Sequence, residues 1–206
     1  MLIPLHDLVK KYNINFKGIL HVGAHECEEL KDYEVYLSRS QILWIEALPG
    51  KVEYCKQLYP NVLIENAIVS DVIETVRFNV SNNGQSSSML DFGLHSTFHP
   101  QVKYITCFEA ETKLLNNILP NYNISFNFLN FDIQGAELKG LKGMEEYLPK
   151  VEYIYIEVNS DYVYKDCALV SELDEYLSKF GLERVETKWC GDFRWGDAFY
   201  IKSTFL

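Results

Sequence analysis

Residues 16–47, FKGILHVGAHECEELKDYEVYLSRSQILWIEA, read as strand, glycine turn, helix, strand. FKGILHVGA (16–24) is a short apolar run closed by glycine, and in ECEELKDYEVYLSR (26–39) Leu30, Tyr33 and Leu37 fall on one helical face. QILWIEA (41–47) follows as a buried strand. A strand that returns through a helix lies parallel to its predecessor, with a right-handed crossover. The stretch therefore predicts an α/β fold and disfavours a sandwich or a bundle.

The pattern extends in both directions. Leu5, Leu8, Val9 and Tyr12 follow Pro4 at helical spacing, which predicts a helix over 4–12. PGKVEYCKQLY (49–59) reads as a helix and VLIENAIVS (62–70) as a strand. Further on come a helix over 111–118, the strand FNFLNFDI (126–133), a helix over 136–148, the strand VEYIYIEV (151–158) and a helix over 168–181 closed by Gly181. LERVETKW (182–189) and DAFYIKS (197–203) are joined too closely for a crossover helix, so they pair antiparallel. The expected architecture is a Rossmann-like, doubly wound, mostly parallel sheet ending in an antiparallel hairpin. A single domain over 1–206 carries residues 1–17 as a helical extension. Residues 76–109 break the rhythm: the strand-like VRFNVSN and VKYITCFEA enclose NNGQSSSML and LHSTFHP, and a long polar loop in a domain is commonly functional.

The 206 residues are 48% hydrophobic, enough for a core, and carry a net charge of −10, which argues against nucleic acid as a partner. The five cysteines are widely spaced and form no CxxC pair, so free thiols in a reducing compartment are expected. No segment reads as a secretory leader or a membrane span, which gives a soluble, cytoplasmic expectation without a membrane partner.

Ligands of open parallel sheets bind beyond the carboxyl ends of the strands. The first such end, His21 to Glu26, is a tight turn whose free N–H groups are expected to face a ligand. The chain lacks GxGxxG, and Glu26 at that place repels a pyrophosphate, so a dinucleotide is disfavoured. Glu46 ends the second strand at the offset where a carboxylate accepts ribose hydroxyls, and Asn66-Ala67 after the third strand flank an adenine. The strand end Asp132-Ile133-Gln134-Gly135-Ala136-Glu137 is dense in polar groups; its alternative reading makes Asp132 a helix N-cap and Glu137 a first-turn carboxylate. Glu157 and Asn159 close the fifth strand in the same way. His21, His25, His95 and His99 have no metal-ligand spacing, Ser86, Ser87 and Ser88 lack a GxSxG elbow, Trp44, Tyr153 and Tyr155 read as core, and Trp195 reads as a lid or a surface contact.

Taken in order, HVGAHECEE, WIEALP, ENAIVSD, SNNGQSSSML, FDIQGAELKGLKG and WGDAFYI resemble the FkbM-type branch of the class I S-adenosylmethionine-dependent methyltransferases over about residues 18–201. The resemblance implies a seven-stranded sheet. It also implies that the turn Gly23 to Cys27 cradles the methionine part of the cofactor, that Glu46 binds the ribose, and that Ala67 and its neighbours line the adenine. Cys27 stands where this class usually has another glycine. The candidate cofactor set is His21, Gly23, Ala24, His25, Glu26, Glu46, Ala47, Asn66, Ala67, Asp132 and Gln134. Such enzymes methylate hydroxyls of sugars and polyketide-like products, which points to a small-molecule or carbohydrate acceptor. Gln85, Ser86, Ser87 and Ser88 of the polar loop, with Glu157, Asn159 and Trp195, are its candidate contacts. Asp132 is the expected general base; a divalent metal on Asp132, Glu157 and a third oxygen is the less favoured route. The rivals are a nicotinamide-dependent oxidoreductase and a non-catalytic cofactor-binding module.

Overall fold

The computed structural model describes residues 1–205. Five strands, β1 (Ile19–Val22), β2 (Ile42–Glu46), β3 (Leu63–Asn66), β6 (Phe128–Phe131) and β7 (Tyr153–Asn159), lie parallel, and the hairpin β8 (Leu182–Trp189) and β9 (Trp195–Lys202) closes the sheet antiparallel. The order is β3-β2-β1-β6-β7-β9-β8, so strand order reverses between β1 and β6. This is the mostly parallel, hairpin-terminated sheet that the alternation predicts.

Side-chain alternation builds two cores. Leu20, Leu43, Leu129 and Ile154 face one side and pack with α5 (Leu115–Ile118), α6 (Glu137–Lys142) and α7 (Val170–Ser178). Ile19, Trp44, Phe128 and Tyr153 face the other and pack with α1 (Leu5–Tyr12), α2 (Leu30–Tyr33) and α3 (Pro49–Leu58). Among the described residues no helix is long and apolar enough to cross a membrane.

Several elements are shorter than their periodicity suggests. The helix expected over 26–39 is the single turn α2, because His25 (φ 44°) and Cys27 (φ 56°) spend the preceding residues on a left-handed turn and a capping box at Ser38 starts a separate short helix. The helix expected over 111–118 begins only at Leu115, since the preceding strand runs through Glu111. The helix expected over 136–148 ends at Lys142. The strand-like segments in 76–109 are β4 (Thr75–Ser81) and β5 (Tyr104–Glu111), an antiparallel pair separate from the main sheet. Between them the polar segment is tied down: Asn79 and Ser88 form a bridge, and His95–Phe98 is the one-turn helix α4. Trp195, read as a lid or a surface contact, is the first residue of β9.

At the order reversal the backbones of β1 and β6 nearly touch. A Cβ on Gly23 would lie 1.8 Å from the carbonyl oxygen of Asp132, and Gly23 has φ +96°. Gly23→Ala is therefore expected to push the two strand ends apart, with about 1–3 kcal/mol of backbone strain added to the clash. Thermal unfolding should show a Tm loss of at least about 5 °C, or no folded protein; a wild-type Tm would refute the close approach.

Candidate active site

The register places one residue from each central strand in a single row. Val22 pairs with Ile45 and Phe131, Phe131 pairs with Ile156, and Glu157 pairs with Asp197. One step further along, Glu46, Gly23, Asp132, Glu157 and Asp197 share a face at the carboxyl edge. Two residues back lies the row Trp44, His21, Asn130 and Tyr155. A cavity of about 560 Å³ opens over this edge, and all five residues of the upper row line it.

Each carboxylate of the row is held by donors. Glu46 accepts the His25 N–H at 2.7 Å on Oε2 and the Leu48 N–H at 2.8 Å on Oε1, which leaves a second lone pair on each oxygen. Burial raises its carboxyl above the usual range, against the pull of those two amides. Gln134, at φ +57°, donates through Nε2 to Asp132 Oδ1 and to Glu157 Oε2 at 3.1 Å, while its own Oε1 accepts the Tyr164 hydroxyl. Asp197 Oδ2 accepts the Leu2 N–H and the Tyr155 hydroxyl, and that hydroxyl accepts the Ile3 N–H at 3.0 Å.

Asp132 is an exposed residue that lines the cavity at the end of β6. Burial, and then the charge of Asp197, push its carboxyl up to about 6. Burial and the Asp132 charge push Glu157 well above the carboxylate range. Asp132 does not cap α6, whose N-cap is Ala136. Glu137 instead turns back, and its Oε1 accepts the N–H groups of Ile133 (3.0 Å) and Gly135 (3.1 Å), which locks the strand-to-helix turn. Among the described residues no three His, Cys, Asp or Glu side chains form a metal-ligand set. The Gln134 amide donates to both Asp132 and Glu157, the pair named for a metal, where a shared cation would need acceptors.

His21 stacks on Trp44 (4.4 Å between ring centroids), and its Nδ1 is hydrogen-bonded to the Tyr33 hydroxyl at 3.0 Å. Burial pushes it down to about 3, so it stands neutral. The turn after β1 differs from expectation in one respect. Gly23 and Ala24 donate to the Ile45 carbonyl, His25 to Glu46, Glu26 to Glu28 and Cys27 to the Ala24 carbonyl, so these amides are already taken.

His21, His25, Ala47, Ala67, Gln134 and Trp195 also line the cavity, as do Gln85, Ser86 and Ser87 of the polar segment. Ala24, Glu26, Asn66, Ser88 and Asn159 do not. Glu26 pairs with Lys51, Asn66 donates to the Glu46 and Ala47 carbonyls, Ser88 donates to the Gln134 carbonyl at 2.8 Å, and Asn159 is buried with its amide unpaired. Unforeseen cavity residues are Asp197, Glu28, Glu29, Asn83 and the chain start at Met1 and Leu2. Only the β7–β9 register, a long-range fact, brings Asp197 into the row.

A sequence model of the family described as Methyltransferase FkbM domain matches residues 21–183. No curated protein matches the chain. Among solved structures, a S-adenosylmethionine-dependent methyltransferase from Clostridium acetobutylicum aligns over 96% of this chain and 88% of its own at 7% identity, with a TM-score of 0.55. One from Aquifex aeolicus covers 98% and 90% at 11% identity with a TM-score of 0.51. Magnesium protoporphyrin IX methyltransferase from Synechocystis, solved with S-adenosylmethionine, covers 96% and 76% at 8% identity with a TM-score of 0.52. At these identities the likeness is one of fold.

Glu46→Ala is expected to weaken S-adenosylmethionine binding at least about tenfold, since hydrogen bonds to a charged acceptor are worth ~1.5–3 kcal/mol each. Calorimetric titration checks this. An unchanged Kd in a variant that folds normally would remove Glu46 from the site.

Proposed function

The chain belongs to the FkbM methyltransferase family, and on that premise we propose that it transfers the methyl group of S-adenosylmethionine to a hydroxyl of a sugar, a glycoside or a related natural product. The observation that carries this reading is the two-sided cavity. One wall is the carboxylate row Glu46, Asp132, Glu157 and Asp197, and the other holds the uncharged Asn83, Gln85, Ser86 and Ser87.

The row suits the cofactor's chemistry. S-adenosylmethionine supplies an electrophilic methyl on a sulfonium, and it carries an ammonium and a ribose diol besides. Glu46, with a free lone pair on each oxygen, is the acceptor for the diol. Asp132, Glu157 and Asp197 offer negative charge to the cationic groups. Ala67, Ile68 and Val69 supply an apolar lining for the adenine. A pyrophosphate, by contrast, meets spent turn amides and a carboxylate wall, which disfavours the nicotinamide alternative.

An aliphatic hydroxyl is a weak nucleophile until its proton is drawn away, and Asp132 is the proposed base. At neutral pH it stands above its own pKa of about 6 and is available to take a proton. Gln134 fixes its rotamer through Oδ1 and leaves Oδ2 for the acceptor. The polar wall is itself firmly placed. Ser86 is hydrogen-bonded to Asn83 at 3.0 Å and lies 3.2 Å from His95 Nε2, and Ser87 donates to the Gly84 carbonyl at 2.7 Å. Such a wall orients a hydroxylated acceptor and keeps water from the reacting atoms. The five unpaired cysteines support a cytoplasmic setting.

Release of S-adenosylhomocysteine from a panel of sugars and glycosides tests the reading. With an acceptor in hand, kcat/KM should fall as pH drops through about 6, because protonation removes the base. Asp132→Asn should abolish that limb and slow transfer ~10²- to 10⁴-fold, with a much smaller loss of cofactor affinity from the missing charge. Activity that survives EDTA and is lost in Asp132→Asn supports the direct base; loss in EDTA with recovery in Mg²⁺ would make Asp132 a metal ligand.

A further inference from the structure

Five carboxylates line the cavity, Glu28, Glu29, Glu46, Asp132 and Asp197, beside Glu157, whose carboxyl burial pushes well above the usual range. Among the described residues no lysine or arginine lines it. Of the cations beside lining residues, Lys51 pairs with Glu26, Lys113 donates to the Asn66 carbonyl at 3.3 Å and Lys188 donates to the Leu2 carbonyl at 2.9 Å. The Met1 amino group at the wall lies 3.8 Å from Glu29. Bound cofactor adds one net positive charge, which offsets a single carboxylate.

The acceptor wall supplies no lysine or arginine either. Its polar side chains are amides and hydroxyls, Asn83, Gln85, Ser86, Ser87 and Gln101, with the histidines His95 and His99. Burial, and then His99, push His95 down to about 4, so at neutral pH it is an uncharged imidazole. It is 6% exposed, stacks on Phe92 at 4.2 Å and keeps a buried Nδ1 without a partner. The turn amides that serve phosphates elsewhere are bonded within the protein.

Resting on the O-methyltransferase reading, we propose that the acceptor carries no phosphate: it is an uncharged or amine-bearing glycoside or aglycone, and sugar phosphates and nucleotide sugars are rejected. A reaction order follows. If the methylated group is a sugar, the glycosyl transfer that consumes its nucleotide-activated form comes first, and methylation acts on the finished glycoside. The physical reason is uncompensated repulsion. At an effective dielectric constant of about 20, one pair of like charges about 8 Å apart lowers affinity about 30-fold, and a diphosphate meets this more than once. Repulsion of this kind selects by excluding the wrong ligand as much as by gripping the right one.

The test compares one sugar in three forms, methyl glycoside, 1-phosphate and uridine diphosphate conjugate, by S-adenosylhomocysteine release. In parallel, uridine diphosphate is titrated by calorimetry into protein saturated with S-adenosylhomocysteine. Expected are kcat/KM values at least about 100-fold lower for both phosphorylated forms and no saturable binding of uridine diphosphate at millimolar concentration. A phosphorylated form turned over as well as the glycoside would overturn the inference and leave the O-methyltransferase reading standing. If no form of any sugar is turned over while cofactor binds normally, the sugar reading fails, and the titration still decides: saturable binding of uridine diphosphate refutes anion exclusion, and its absence upholds it.

Discussion

The contact on which the rest of the structure depends is the approach of the bare Cα of Gly23 to the carbonyl of Asp132, where any side chain on Gly23 would strike the backbone of β6. It lies where strand order reverses, so neighbouring connections leave in opposite directions and a cleft opens above the sheet edge. Because β1 and β6 run in tight register up to that contact, the residues one step beyond are level with each other. Glu46 and Asp132 thereby become neighbours of the same glycine, and β7 and β9 carry the row on to Glu157 and Asp197. A one-residue slip would send the whole set to the opposite face.

Assembling carboxylates in this way opposes folding, since each loses solvation and repels the next. The chain answers with local donors, each arising from a different feature of the sequence. The turn after β1 and the start of α3 give amides to Glu46, and the loop after β6 gives two amides to Glu137. A glutamine in left-handed backbone conformation serves Asp132 and Glu157 together, and the chain start serves Asp197. Burial still raises Asp132 and Glu157 against the pull of the Gln134 amide. In the proposed complex a cationic ligand would complete the compensation and tie the stability of this edge to its occupancy.

What the sequence discloses and what it hides follow from range. β1, β2 and the terminal hairpin are short apolar runs bounded by glycine or by a tight connection, and local pattern is enough to find them. Glu46 and Asp132 are legible because they end such runs. The helix over 26–39 is not, because its spacing is correct while the left-handed His25 and Cys27 consume its first turn. Glu26 and Asn66 share the position of true cavity residues, yet Lys51 and the carbonyls of Glu46 and Ala47 draw them aside. Asp197, Leu2 and Ile3 are invisible locally, since the hydrogen bonds that place them span 42 to 195 residues.

Gln134 joins the two walls. Its amide nitrogen touches the carboxylate row, its amide oxygen takes the Tyr164 hydroxyl, and its backbone carbonyl takes the hydroxyl of Ser88 at the foot of the polar segment. Tyr164 in turn packs with Phe92, against which His95 is stacked. The left-handed conformation of Gln134 is unfavourable for its residue type and is held by Glu137, which grips the amides on either side of it. Strain at that one residue therefore sets the orientation of the proposed base and the height of the acceptor wall together. Strand register sets the backbone of the row, but the side chain of Asp132 depends on Gln134: a change that relaxes Gln134 frees Asp132 and loosens the Ser88 anchor in the same step.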